Sequence, residues 1–209
     1  MKQLVVAVLI GCTALGTASA QQILDRVVAR VDGNPITLSD VRAAIRLGIV
    51  EPAEGVDPML FGLRQLIERR LVLAEVARFA PPDPDPTTLS GQVSALKARV
   101  GSAADLAALE RSTGYGEQQI RDVARDNLRI QAYLNQRFGA SVQPSDEEVG
   151  QYYRTHLDEF TKDGRVIPFV EAEPAARQKA AAERRRAVIF QWMRELHQRA
   201  DVVELYEPK

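Results

Sequence analysis

The sequence predicts a mostly α-helical domain closed by a small antiparallel sheet, and three observations carry that prediction. The stretch 26–40, RVVARVDGNPITLSD, packs a β-branched run, a turn and a second short strand into fifteen residues before a helix begins. Nearly everything that follows alternates helix-start signals with apolar residues at helical spacing. The chain then ends on Val202-Val203-Glu204-Leu205-Tyr206, which again reads as a strand. A lone two-stranded hairpin is marginal in water. The two ends of the chain therefore supply each other's missing partner, and chain closure becomes part of the fold.

In order along the chain, residues 1–20 read as a leader rather than as part of the fold. Lys2 is a positive n-region, Leu4 to Leu15 an apolar segment, and Ala18-Ser19-Ala20 an A-x-A cleavage site before Gln21. The expectation is export with cleavage after Ala20. Leu9-Ile10-Gly11-Cys12 offers a competing reading as a lipobox, which would make Cys12 a lipidated N-terminus. Cys12 is the only cysteine of the chain, so cleavage after Ala20 leaves no thiol or disulfide chemistry. The apolar segment is too short to span a bilayer, and no later run reaches about 18 apolar residues, so stable membrane insertion is not expected.

Past the leader, Val27, Val28, Ala29 and Val31 form the first strand, and Asp32-Gly33-Asn34 is turn chemistry. Thr37 and Asp40 stand at capping-box spacing, opening a first helix that runs to about Ile49 before Pro52 and Gly55. Asp57-Pro58 caps and starts a second helix reaching Phe79. Leu60, Leu63, Ile67, Leu71 and Ala74 make one stripe of it, while Leu66, Leu73 and Val76 make a second side apolar. A helix apolar on more than one side is central to a core or borders an exposed groove.

Residues 81–86, PPDPDP, form a stiff connector. Helices are expected over 87–100, 102–113 and 117–138, and from the Ser145 cap to about His156. TKDGRVIP, residues 161–168, reads as a polar loop. A last helix of about 27 residues, ~40 Å long, is expected from Pro174 to Ala200, with Val188, Ile189, Trp192, Met193 and Leu196 on its apolar face.

Composition narrows function. Lys and Arg number 27 against 28 Asp and Glu, and loss of Lys2 with the leader leaves 26 against 28, a net charge of −2. That balance excludes the basic footprint of a nucleic-acid binder. Arg184-Arg185-Arg186 then reads as a solvated helix face. No nucleophile elbow, zinc-protease helix, P-loop or Cys-x-x-Cys pair occurs, so no catalytic residue, cofactor site or metal site is assigned. His156 beside Asp158 and Glu159, and His197, read as helix-end histidines favoured by the dipole. Tyr152-Tyr153 reads as a core tyrosine beside a surface one, with a peptide-binding pair as the alternative.

Several stretches resemble one family in order: ILDRVVARVDGNPITLSDV, RQLIERRLVLAEVARF, IRDVARDNLRIQAYLNQRFGASVQPSDEEVGQYYRTHLDEF and PFVEAEPAARQKAAAERRRAVIFQWMRELHQRADVVEL. Together they resemble the SurA-type periplasmic chaperones, which carry parvulin-type prolyl isomerase domains. The resemblance implies a chaperone module over residues 21–209 built from both ends of the chain. It also implies that residues 161–168 stand where the parvulin domain would be inserted, so the isomerase is expected to be missing. The function expected on this basis is an ATP-independent holdase that binds extended segments of unfolded envelope or outer-membrane proteins. A dedicated periplasmic adaptor, self-associating as a homodimer, is the alternative. Leu47 and Ile49 on the first helix, with Met59 and Phe61 on the second, are the candidate exposed peptide-binding residues, and methionine suits an adaptable site.

Overall fold

In the structure, a computed structural model, residues 25–139 and 143–207 are described. The expected leader and Cys12 lie outside them. Strands β1 (Val27–Val31) and β2 (Asn34–Thr37) form the hairpin. Asp32 and Gly33 between them take φ of 48° and 79°, the left-handed pair that a two-residue turn matched to strand twist requires. An irregularity of register falls between Val27 and Ala29. Val28, Ala29, Val31 and Ile36 are buried.

Helix α1 (Leu38–Arg46) opens on the expected capping box. Thr37 Oγ1 accepts from the Asp40 amide at 3.2 Å, and the Thr37 amide donates to Asp40 Oδ2 at 2.8 Å. The helix ends three residues short of Ile49, because Gly48 takes a φ of 62° and turns the chain. Helix α2 (Pro58–Phe79) starts on the Asp57 cap, whose carboxylate accepts from the amides of Met59 and Leu60. Gly62 lets α1 approach closely, since a Cβ there would stand 2.9 Å from Val41 Cγ1. Leu63, Ile67, Leu71, Val72 and Val76 carry α2 through the main core.

Helices α3 (Pro86–Val100), α4 (Ala103–Thr113) and α5 (Glu117–Phe138) close a second cluster around Leu89, Val93, Leu96, Leu109, Ile120 and Ala124. A third cluster joins α6 (Asp146–Thr155), a 3-10 turn (Leu157–Phe160) and the following segment around Val149, Phe160, Ala172, Ala176 and Ala180.

Two expectations are corrected here. Residues 161–168 are not a plain loop: β3 (Thr161–Lys162) and β4 (Arg165–Val166) pair as a second hairpin, so strands are not confined to the chain ends. Asp163-Gly164, at φ of 52° and 75°, is the same turn chemistry as Asp32-Gly33. The last helix, α7 (Phe169–Arg199), begins five residues before Pro174. Phe169 packs its ring on Tyr153 at 5.3 Å and Ala172 is buried in the third cluster, so tertiary packing holds a turn of helix upstream of the proline. That packing outweighs the ~3 kcal/mol a proline costs within a helix.

Strand β5 (Val202–Glu204) pairs antiparallel with β1, giving the order β2-β1-β5. Val31 faces Val202 and Arg30 faces Val203. Beyond the strand, the Leu205 amide donates to Val28 O at 2.9 Å, and the Asp32 amide to Asp201 O at 2.8 Å. The ends of the described chain close one sheet, as expected. Helices, the 3-10 turn included, take 69% of the described residues, and the fold is mostly α with a small terminal sheet.

Candidate functional site: a groove between the second and fifth helices

Helix α2 is buried on one side and borders open space on the other. Leu66, Arg69, Arg70 and Leu73, at helical spacing, form one wall of a cleft of about 330 Å³. Gln119, Asp122, Val123 and Asp126 of α5 form the facing wall, and Ile36, Ala44 and Ile49 its end. Tyr115 joins from the turn before α5. Its hydroxyl donates to Asp40 Oδ1 at 2.7 Å, and burial together with the Asp40 carboxylate pushes its pKa well up, so it stays a neutral donor. Asp40 thus serves both the helix cap and the cleft.

Arg69 divides this cleft from a second of about 270 Å³. The second is lined by Ile49, Val50, Val72, Ile130, Ile189 and Met193, with Gln65 and Glu68 on its rim. The two share Ile49 and Arg69 and lie side by side across α2, the second reaching α7 at Ile189 and Met193; together they are termed the groove. Arg69 Nη1 donates to Asn127 Oδ1 at 2.6 Å and Nη2 makes a long bond to Val123 O at 3.5 Å, tying α2 to α5. Burial lowers the Arg69 pKa and Asp126, at 4.0 Å, opposes the shift; a guanidinium remains charged throughout the ordinary pH range. Burial raises the Asp126 pKa, with Arg69 offsetting part of that rise.

The first cleft mixes Ile36, Ile49, Leu66, Leu73 and Val123 with five charged side chains, and the second is mainly apolar. The groove holds no serine, cysteine or histidine that could act as nucleophile or base. Among the described residues no group of three or more His, Cys, Asp or Glu is arranged to hold a metal ion.

The candidate peptide-binding residues separate. Leu47 is corrected: it is 0% exposed and belongs to the second cluster, because α1 ends at Arg46 and the reversal at Gly48 turns Leu47 inward. Ile49, half-buried, lines both clefts. Met59 and Phe61 are half-buried at the start of α2, Met59 against the main core, and neither lines the groove. Leu66 and Leu73 were visible in the sequence as a second apolar side of α2. Arg69, Tyr115 and Asp126 carried no local signal, since their partners lie on other elements.

The remaining marked residues have structural partners. Tyr153 donates to Ile167 O at 2.6 Å, with its ring 5.2 Å from that of Phe160. Tyr152 stacks on His156 at 4.1 Å and donates to Glu159 at 3.0 Å. Arg184 binds both oxygens of Glu148 at 2.7 Å, and Arg185 donates to Asn135 at 2.6 Å. His197 is exposed in the last turn of α7.

The fold is a helical domain in which the first and last strands of the described chain share one sheet, with the groove on its surface. Compared with known families, the chain matches no family model, and a search of characterised proteins finds no significant match.

Proposed function

We propose that this domain is a periplasmic, ATP-independent holdase that binds extended segments of unfolded envelope or outer-membrane proteins. The observation that supports it best is the groove along α2. It sets apolar side chains, Ile49, Leu66, Leu73, Val72, Ile130 and Met193, beside several charged and polar ones. The resemblance of four ordered stretches, over most of residues 23–205, to SurA-type chaperones points the same way. Binding without a nucleotide cycle requires modest affinity and rapid exchange, which a shallow, partly polar groove provides.

No helix among the described residues is long and apolar enough to cross a membrane, consistent with a module that acts without inserting stably. Export rests on the leader expected before Gln21. Sequencing the N-terminus of the mature protein tests it, with Gln21 expected and a lipidated Cys12 contradicting it. The isomerase is proposed to be missing, residues 161–168 holding only the short second hairpin.

A second reading, a dedicated adaptor, draws on exposed apolar side chains away from the groove: Phe169 and Val170 at the start of α7 are 36% and 83% exposed. Suppression of aggregation separates the two. Light scattering of diluted, urea-unfolded outer-membrane proteins should fall in proportion to added domain, for several unrelated clients. Leu66→Ser with Leu73→Ser should lose most of that suppression. No suppression by the wild type, alongside one stoichiometric partner from envelope extract, would favour the adaptor.

A further inference from the structure

The charges that line the groove are unequally available. Asp40, Asp122 and Asp126 line the first cleft against Arg69 and Arg70, and Glu68 adds a carboxylate at the second. Asp40 is occupied on both oxygens, by the Thr37 amide and the Tyr115 hydroxyl. Arg69 is committed to Asn127. Asp122 uses only Oδ1, which accepts from Gln118 at 3.0 Å and Arg125 at 3.3 Å. Asp126 accepts no hydrogen bond from any described residue, and its nearest cation, Arg69, stands at 4.0 Å. The Asp126 side chain is 37% exposed, so a cation entering the cleft can reach its carboxylate without breaking a hydrogen bond of the fold.

We infer that the groove selects extended segments in which a large apolar side chain lies beside a lysine or arginine. The apolar side chain fills the cleft between Leu66, Leu73 and Val123, and the neighbouring cation reaches Asp126 and the open oxygen of Asp122. Exposed Arg70, which makes no ion pair among the described residues, stands at the same cleft and limits the strength of the preference. Client choice then depends on charge as well as on apolar content: acidic segments are excluded by like charge, and basic ones are held. This inference rests on the groove being the client site.

Three short fluorescein-labelled peptides, identical except for a central Arg, Gln or Glu between two Phe-Ser units, test it by fluorescence anisotropy at low ionic strength. The Arg peptide should bind about threefold to tenfold more tightly than the Gln peptide, and the Glu peptide most weakly. Added salt should shrink the ratio. Asp122→Asn with Asp126→Asn should bring the ratio of Arg to Gln peptide close to one, and Arg70→Gln should enlarge it. Equal binding of the three peptides by the wild type would overturn the charge preference and leave the holdase reading standing. Preference for the Glu peptide, or a ratio unchanged in both variants, would overturn it equally. If no peptide binds while client aggregation is still suppressed, the groove is not the client site and the inference fails; if suppression is missing too, the holdase reading fails with it.

Discussion

Deleting residues 201–209 removes β5 and leaves β1 with an open edge, and the structure sets the size of the effect. Val202 and Tyr206 pack partly buried against the main core, while Val203 and Leu205 remain 43% and 45% exposed. Roughly half-burial of four side chains contributes about 3–6 kcal/mol, at ~1.5–3 for each fully buried one. The pairing with β1 and its flanking hydrogen bonds adds about 1 kcal/mol per bond. Against this, the freed segment regains ~1–2 kcal/mol of backbone entropy per residue. In a chain of this size each kcal/mol of net loss lowers Tm by about 2–4 °C, so the truncated protein should melt markedly lower. Register sharpens the test. Val202 faces buried Val31 and Val203 faces exposed Arg30, so Val202→Asp should destabilise strongly and Val203→Asp hardly at all. Scanning calorimetry decides it. An unchanged Tm on truncation, or equal effects of the two aspartates, would refute the closure of the fold by its ends.

Asp126 gives a pH-dependent prediction. Its pKa is raised in the folded state, so the folded chain holds more protons than the unfolded one between the two values, and stability falls as pH rises through the folded pKa. The charged carboxylate is a net cost near neutrality. Asp126→Asn should therefore match or exceed the wild-type Tm at pH 7, the difference shrinking as pH falls through the carboxylate range; a clearly lower Tm at pH 7 would assign Asp126 to holding the fold. A protease-coupled prolyl peptide assay should show only the uncatalysed rate, with relaxation over tens to hundreds of seconds. Catalysis proportional to protein and surviving repurification would show that the chain supplies an isomerase site.

Local chemistry was legible where a signal and its partner lie close in sequence. The caps at Thr37 and Ser145 form as the sequence indicates. Terminal pairing was legible because an isolated hairpin needs a third strand. Asp163-Gly164 carried the signal of the second hairpin, but its strands are two residues each and offer no alternation to read. Pro174 misplaced the start of α7, since helix-start rules describe an isolated segment and cannot include the packing of Phe169 on Tyr153. The site was half legible. The second apolar side of α2 marked Leu66 and Leu73, whereas Leu47 was misjudged by taking α1 two residues past it. The polar half of the groove was hidden, because Arg69 meets Asn127 across 58 residues of sequence and Tyr115 meets Asp40 across 75.

The central claim is that unfolded client lies in the groove along α2. Site-specific photocrosslinking tests it directly, using a benzophenone attached to single cysteines in a Cys12→Ser chain. Gln119 and Gln65 are exposed positions on the rims of the first and second clefts, and Gln178 is an exposed position on α7 away from both. With an unfolded outer-membrane protein as client, labels at Gln119 and Gln65 should crosslink strongly and the label at Gln178 weakly. Addition of an unlabelled competing peptide should suppress the first two. Equal crosslinking from all three positions, or crosslinking concentrated at Gln178, would contradict the assignment of the groove.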